Sequence, residues 1–160
     1  MASKRTTRAP RAKASFLLDE QLCFALYAAS RAVTQRYRPL LEKLGLTFPQ
    51  YLVMLVLWEQ GATTVKELAD ELQLDYGTLS PLLKRLAAAG FVERHRRSDD
   101  ERSVEITLTE QGKMLKRKAA DIPQLIVDAY KLDADDFANL RNSLRELAES
   151  VTGEDSEARD

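Results

Sequence analysis

The reading turns on residues 64 to 108, Thr64-Val-Lys-Glu-Leu-Ala-Asp-Glu-Leu-Gln-Leu-Asp-Tyr-Gly-Thr-Leu-Ser-Pro-Leu-Leu-Lys-Arg-Leu-Ala-Ala-Ala-Gly90 followed by Phe91-Val-Glu-Arg-His-Arg-Arg-Ser-Asp-Asp-Glu-Arg-Ser-Val-Glu-Ile-Thr-Leu108. Thr64 and Glu67 have the spacing of a capping box, in which a hydroxyl and a carboxylate three residues apart satisfy two backbone donors at a helix start. Val65, Leu68, Ala69 and Leu72 then recur at the spacing of one buried helical stripe. Leu74 and the cap-type Asp75 mark a tight turn into a second helix that runs to Gly90. Its inner face is Leu79, Leu82, Leu83 and Leu86, and Thr78, Ser80, Lys84 and Arg85 point outward. Two alternating runs, Phe91 to Arg97 and Arg102 to Leu108, flank the polar loop Ser98 to Glu101 and read as a hairpin. Helix, turn, helix and hairpin in that order predict a winged helix-turn-helix, whose second helix has the width of a DNA major groove.

The charges of this stretch separate it from a helical hairpin and ribbon with no partner. From Pro81 to Arg97 the bases Lys84, Arg85, Arg94, Arg96 and Arg97 face the single acid Glu93, a local balance of +4 in a chain of net charge −1. That is a phosphate footprint, and the predicted partner is double-stranded DNA. The expected contacts are Thr78, Ser80, Lys84 and Arg85 from the second helix. Arg102 at the wing tip is expected to enter the minor groove, and Arg94 and Arg96 to meet phosphates. Asp100, in the hairpin loop, is expected to orient Arg102.

Around this module the chain reads as mainly α with a small β-wing. Residues 48 to 108 form the DNA-binding domain, and residues 16 to 47 and 109 to 150 form helices for dimerisation. Residues 1 to 15, with Lys4, Arg5, Arg8, Arg11 and Lys13 and no acid, are read as a disordered basic arm. Residues 151 to 160 are read as a disordered acidic tail. The first helix should run from Phe16 to Leu44 with a kink or restart at Pro39. Thr47 caps a central helix, apolar almost all round, that ends at Gly61 and places Met54 and Trp58 in the core. After the wing, one long helix is expected from Thr109 to about Lys131, bent at Pro123. A last helix opens near Asp133, is lined by Phe137, Leu140, Leu144 and Leu147, and fades near Ser150. The outer helices carry more apolar face than the module can cover, which implies a homodimer. Two-fold symmetry would set two recognition helices on successive turns of a pseudo-palindromic operator, roughly 34 Å apart.

Several function classes drop out. The one histidine and one cysteine of the chain cannot supply a four-ligand zinc site, and there is neither a phosphate-binding glycine loop nor a G-x-S-x-G elbow. No enzyme, cofactor or metal is expected. His95, among arginines on a strand, reads as phosphate-facing or solvated. No apolar run reaches the length of a membrane span, no signal peptide is visible, and a lone cysteine fits a reducing compartment; the expected location is the cytoplasm.

Cys23 allows two readings. Near the start of the first helix the positive end of the dipole favours a thiolate, the form that peroxides attack. Equally, a free cysteine beside Leu22, Phe24 and Leu26 can simply pack. Tyr27 lies one turn away and could reach the sulfur. Tyr37 is fourteen residues on, about 21 Å along a helix, and could approach Cys23 only from a partner chain.

The segments Gln21-Leu-Cys-Phe-Ala-Leu-Tyr27, Tyr37-Arg-Pro-Leu-Leu41, Phe48-Pro-Gln-Tyr51, Asp75-Tyr-Gly-Thr-Leu-Ser-Pro-Leu-Leu-Lys-Arg85 and Asp99-Asp-Glu-Arg-Ser-Val104 resemble the MarR-type transcriptional regulators, and among them the organic hydroperoxide resistance repressors. The wing segment is common to many MarR-type proteins, whereas the Leu-Cys-Phe helix and the Gly-Thr-Leu-Ser-Pro helix are more selective. The resemblance implies a dimeric repressor that leaves its operator when Cys23 is oxidised by an organic hydroperoxide. It also implies that the partner's copy of Tyr37 supports the thiolate. A second tyrosine of the family falls on Phe48, so one expected hydroxyl is missing, and Tyr27 could substitute. Some members carry a resolving cysteine, and this chain has none. Oxidised Cys23 would then end as a mixed disulfide with a low-molecular-weight thiol, a cyclic sulfenamide or an over-oxidised acid. Two other functions fit the pattern: a MarR-type repressor released by a small aromatic or apolar ligand with Cys23 structural, and a thiol peroxidase with a vestigial DNA-binding shape. The wing reading predicts that Arg102→Ala weakens DNA binding and lowers the slope of log affinity against log salt by about 1; an unchanged salt titration would remove Arg102 from the interface.

Overall fold

The computed structural model describes residues 14–96 and 103–157. After a short 3-10 turn at Leu18–Glu20, the elements are α1 (Leu22–Glu42), α2 (Phe48–Gln60), β1 (Thr63–Thr64), α3 (Val65–Leu72), α4 (Tyr76–Ala88), β2 (Val92–Arg96), β3 (Val104–Leu108), α5 (Glu110–Lys118), α6 (Ile122–Tyr130) and α7 (Ala134–Glu157). The chain is mainly helical with a three-stranded antiparallel sheet in the order β1-β3-β2. It divides into two compact units, residues 1–36 and 37–160, and the buried core belongs to the second.

Polar caps set the helix starts. Thr47 and Gln50 form a capping box at α2, with the Gln50 side chain accepting from the Thr47 amide at 2.8 Å. Thr64 and Glu67 do the same for α3, again at 2.8 Å. The stripes behind these caps meet in one core. Met54 and Leu57 of α2, Leu68 of α3, Leu79, Leu83 and Leu86 of α4, and Ile106 of β3 are all fully enclosed. Trp58 is half-buried at the edge of this core, with its indole N–H donating to the Gly112 carbonyl at 3.0 Å.

Several boundaries depart from the sequence reading. Phe16 and Leu17 precede the helical segments, and α1 continues through Pro39 without a restart. The carbonyl that loses its donor there belongs to Gln35, which is exposed and can be solvated. The expected single helix after the wing is two. Pro123 sits in the first turn of α6, where a missing N–H costs nothing, and continuing α5 would drive its ring into the Ala119 carbonyl, so α5 ends first. At the other end α7 runs to Glu157, past Ser150 and into the stretch expected to be a disordered tail. An apolar stripe marks where packing stops, whereas each further helical residue adds its own backbone hydrogen bond. Strand β1 was not legible; it is two residues long and pairs Thr63 with Ile106 and Thr64 with Glu105. The basic arm from Lys4 to Lys13 lies outside the described residues.

The base of the wing is held tightly. The Thr109 hydroxyl donates to the Gly90 carbonyl at 2.6 Å and accepts from the Gly112 amide at 3.0 Å, so one side chain ties the end of the α4 segment to the start of α5. Lys116 of α5 donates to the Trp58 carbonyl at 2.9 Å. Gly112 is buried there, and a Cβ on it would lie 2.1 Å from the Phe91 carbonyl oxygen. Because that atom is backbone, it cannot rotate away. Gly112→Ala should therefore lower stability by about 1–3 kcal/mol, the usual range for overpacking, as measured by denaturant unfolding; wild-type stability would show that α5 does not seat against the wing base as described.

Candidate nucleic-acid interface and cysteine site

Helix α4 is fixed at its start by Asp75, whose carboxylate accepts the Thr78 amide at 2.8 Å and the Thr78 hydroxyl at 2.7 Å. These bonds hold the Asp75 carboxyl below the usual carboxylate range. They also commit the Thr78 hydroxyl proton, leaving that oxygen to act toward a ligand only as an acceptor. Thr78, Lys84 and Arg85 are exposed as expected, but Ser80 is half-buried, next to the inner leucines. Pro81 sits within α4 on its exposed side.

In the ribbon, Val92 is buried and the next four residues of β2 are all exposed. The register places Arg94 opposite Ile106 and Arg96 opposite Val104, whereas Glu93 and His95 are opposite Thr107 and Glu105. Cross-strand partners share a face. The arginines therefore lie on one side of the wing, and the acids Glu93 and Glu105 on the other. His95 Nε2 is 3.2 Å from Glu93 Oε2 on that acidic side, and the ring is exposed. Asp100 and Arg102 lie outside the described residues.

Cys23 and Tyr37 fall in different compact units and are taken separately. Cys23 is the second residue of α1, closer to the helix start than one full turn, and it is exposed. Leu22 and Tyr27 are 60% and 57% exposed, and Phe24 is also exposed, so apolar side chains flanking Cys23 along α1 are uncovered. The Tyr27 hydroxyl accepts from Arg31 at 3.0 Å, which leaves its own proton available to another acceptor.

Tyr37 is half-buried, its ring centroid 4.9 Å from Phe48 and 5.7 Å from Tyr51. Phe48 thus keeps the aromatic contact while contributing no hydroxyl. Burial, reinforced by the phenols of Tyr130 and Tyr51, pushes the Tyr37 pKa up to about 12. Tyr37 is therefore a neutral hydrogen-bond donor at any physiological pH. Two residues here escaped the sequence reading. Tyr130, at the end of α6, interacts with the Tyr37 hydroxyl across a long sequence separation that no local pattern reports. Tyr76, the first residue of α4, is 62% exposed, and an aromatic directly after a cap residue was a signal left unread.

In the second unit, Leu140 is 50% exposed, and Leu125, Val127 and Leu144 are exposed as well. Among the described residues no cluster of histidine, cysteine or acidic side chains could hold a metal ion. No helix among them is long and apolar enough to cross a membrane.

A capped reading helix, a two-stranded wing with arginines along one side and a core built around them define a winged helix-turn-helix transcription factor. Residues 35–119 match the family model for the transcriptional regulator SarA/Rot. The chain is 49% identical to the organic hydroperoxide resistance transcriptional regulator of Bacillus subtilis, over 84% of this chain and 91% of that protein. It is also similar in structure to AbfR of Staphylococcus epidermidis. Reduced AbfR bound to DNA has a TM-score of 0.73 and 33% identity, covering 85% of this chain and 93% of that one. Overoxidized AbfR bound to DNA has a TM-score of 0.63 and 36% identity, covering 81% and 95%. The chain therefore belongs to the MarR-type DNA-binding transcriptional regulators, in the group that contains the hydroperoxide resistance regulators.

The environment of Tyr37 has a pH consequence. A phenol whose folded pKa of about 12 exceeds its ordinary 10.0 contributes stability that is complete below pH 10 and is lost as pH rises toward 12. Tyr37→Phe should unfold with a weaker alkaline loss than wild type, and its ultraviolet tyrosinate titration should lack the last-ionising phenol. Identical alkaline profiles for the two proteins would contradict this placement of Tyr37.

Proposed function

We propose that this chain is a homodimeric repressor that leaves its operator when Cys23 is oxidised by an organic hydroperoxide. The observation that carries the reading is the sulfur's position: it is exposed in the first turn of α1, amid Leu22, Phe24 and Tyr27 on an apolar surface. An apolar setting attracts the alkyl or aryl part of a hydroperoxide, and an exposed sulfur can be reached by the peroxide oxygen that it must attack as the thiolate. The thiolate displaces alkoxide from the peroxide oxygen, giving sulfenate, and the alkoxide takes a proton to leave as alcohol. Sulfenic acid then condenses with a low-molecular-weight thiol, forming a mixed disulfide and releasing water. With one cysteine in the chain, no second sulfur can resolve the product internally.

The exposed stripes of α1, α6 and α7 support a second copy as the cover for this surface. In such a dimer the neutral phenol of the partner's Tyr37 could donate to the sulfur. Tyr27, whose proton Arg31 does not use, is a second donor where Phe48 supplies none. Among the relatives, one regulates hydroperoxide resistance, and AbfR has been captured reduced and overoxidized on DNA and also in a disulfide form, which supports redox chemistry in this group. Residues 48–108 would read the DNA, through Thr78, Lys84 and Arg85, with Ser80 contributing from a half-buried position, Arg94 and Arg96 meeting phosphates, and Arg102, oriented by Asp100, at the wing tip. Residues 16–47 and 109–150 would form the dimerisation region.

The second reading is release by a small ligand. The cleft lined by Lys43, Leu44, Phe91, Gln111, Met114, Leu115 and Lys118 offers about 170 Å³, below the ~300–1,000 Å³ of ordinary small-molecule sites. Operator binding followed during addition of cumene hydroperoxide decides between the readings. Wild type should be released at about one equivalent per chain, with the intact mass shifted by the oxidised sulfur, and Cys23→Ser should stay bound. Release of the serine variant would end the redox proposal, and repeated turnover with added thiol would make the protein a peroxidase instead.

A further inference from the structure

Tyr76 opens α4 with most of its side chain in water, although the cap at Asp75 already holds the helix start without it. Among the described residues its ring stacks on no other ring and its hydroxyl has no partner. At 100° per residue, Tyr76, Ser80 and Lys84 form one edge of the outer face, and Thr78 and Arg85 form the other. Between the edges lie Gly77 and Pro81, which present little bulk. The outer face is thus a shallow trough, and Tyr76 is the large apolar group at its N-terminal end.

The first turn of a reading helix is the part that reaches base edges. Lys84 and Arg85 bring charge to the interface, and the Thr78 hydroxyl can only accept. The phenol could in principle contact a phosphate, but the ionised Asp75 carboxylate beside it repels phosphate from this end of the helix. A phosphate contact would also leave the ring wet, whereas packing on an apolar base edge removes area from water on both sides. The apolar feature of the major groove is the thymine methyl. From this geometry we propose that Tyr76 is a specificity-determining residue whose ring packs against a thymine C5-methyl group in the operator. The inference rests on α4 being the DNA-reading helix and is independent of the chemistry at Cys23.

The test uses the full chain and a duplex recovered from random DNA by selection for binding, with affinity read by fluorescence anisotropy. Tyr76→Ala should weaken binding to the selected duplex about tenfold and leave binding to unrelated DNA unchanged, while Tyr76→Phe stays within about twofold of wild type. Replacing thymines one at a time by uracil removes single methyl groups. One position should reproduce the loss in wild type and add nothing in Tyr76→Ala. Equal losses for the phenylalanine and alanine variants would assign the hydroxyl, not the ring, and overturn the proposal. So would the absence of any coupled thymine, or wild-type binding by Tyr76→Ala. Thermal unfolding confirms that the variants fold, and Tyr76→Leu, which keeps an apolar contact, should retain more affinity than alanine. If Lys84→Ala and Arg85→Ala also bind as wild type, the assignment of α4 fails as a whole, a result distinct from failure at Tyr76 alone.

Discussion

The close seating of α5 on the base of the wing is the constraint from which the rest of the second unit takes its geometry. Gly112 lies so near the Phe91 carbonyl that no other residue fits. The same turn accepts the Trp58 indole from α2 and donates to Thr109, whose hydroxyl reaches back to Gly90. Three elements that matter for DNA reading are thereby joined: the end of α4, the root of β2 and the helix that leaves the wing. A close-packed joint of this kind resists local deformation, because Gly112 is seated directly on the Phe91 backbone and three hydrogen bonds tie the turn to its neighbours. Displacement of α5 would be transmitted to the reading head without being absorbed on the way.

Much of this architecture was legible because its signals are local. Thr47, Thr64 with Glu67, and Asp75 each announce a helix start through side chains within three residues of the backbone groups they serve. The leucine stripes of α3 and α4 follow the helical period, and the wing shows strand alternation. What failed to show depends on distance or on what proline does at a particular place. Pro39 lies on the exposed side of α1, where the carbonyl it leaves without a donor can be solvated, whereas Pro123 ends one helix and begins another. Strand β1 exists because β3 has an open edge beside it, and nothing in two threonines foretells that. The site was legible to a similar degree. Lys84 and Arg85 could be placed on the outer face by period alone, but the loss of Thr78 as a donor required its partner to be seen. The Tyr37–Tyr130 interaction joins residues that no sequence window holds together.

Cys23 lies where two physical demands coincide. A nucleophilic sulfur needs access, and the start of α1 leaves Cys23 exposed. An apolar helix face needs cover, and Leu22, Phe24 and Tyr27 lack it within one chain. On the proposed reading a second copy meets the second demand without abolishing the first, since a hydroperoxide is small and amphipathic. Phe48 fits this arrangement as a ring that keeps Tyr37 in place while leaving the thiolate one donor fewer. Such a site would depend more on Tyr37, whose burial ensures that it arrives protonated.

Under the same proposal, chemistry at one sulfur reaches the DNA through geometry alone. A mixed disulfide adds bulk and polarity to a seam built from apolar side chains, and a close-packed seam answers by rigid-body displacement because its contacts cannot stretch. Two reading helices bind together only while their separation matches one turn of duplex, roughly 34 Å. Each half-site contact is modest by itself, so losing the match forfeits the tethering advantage as well as individual contacts. The stiffness of the Gly112 joint is then what makes a small displacement effective. A flexible α5 would let each reading head stay on its half-site while the seam rearranged, and oxidation would go unread.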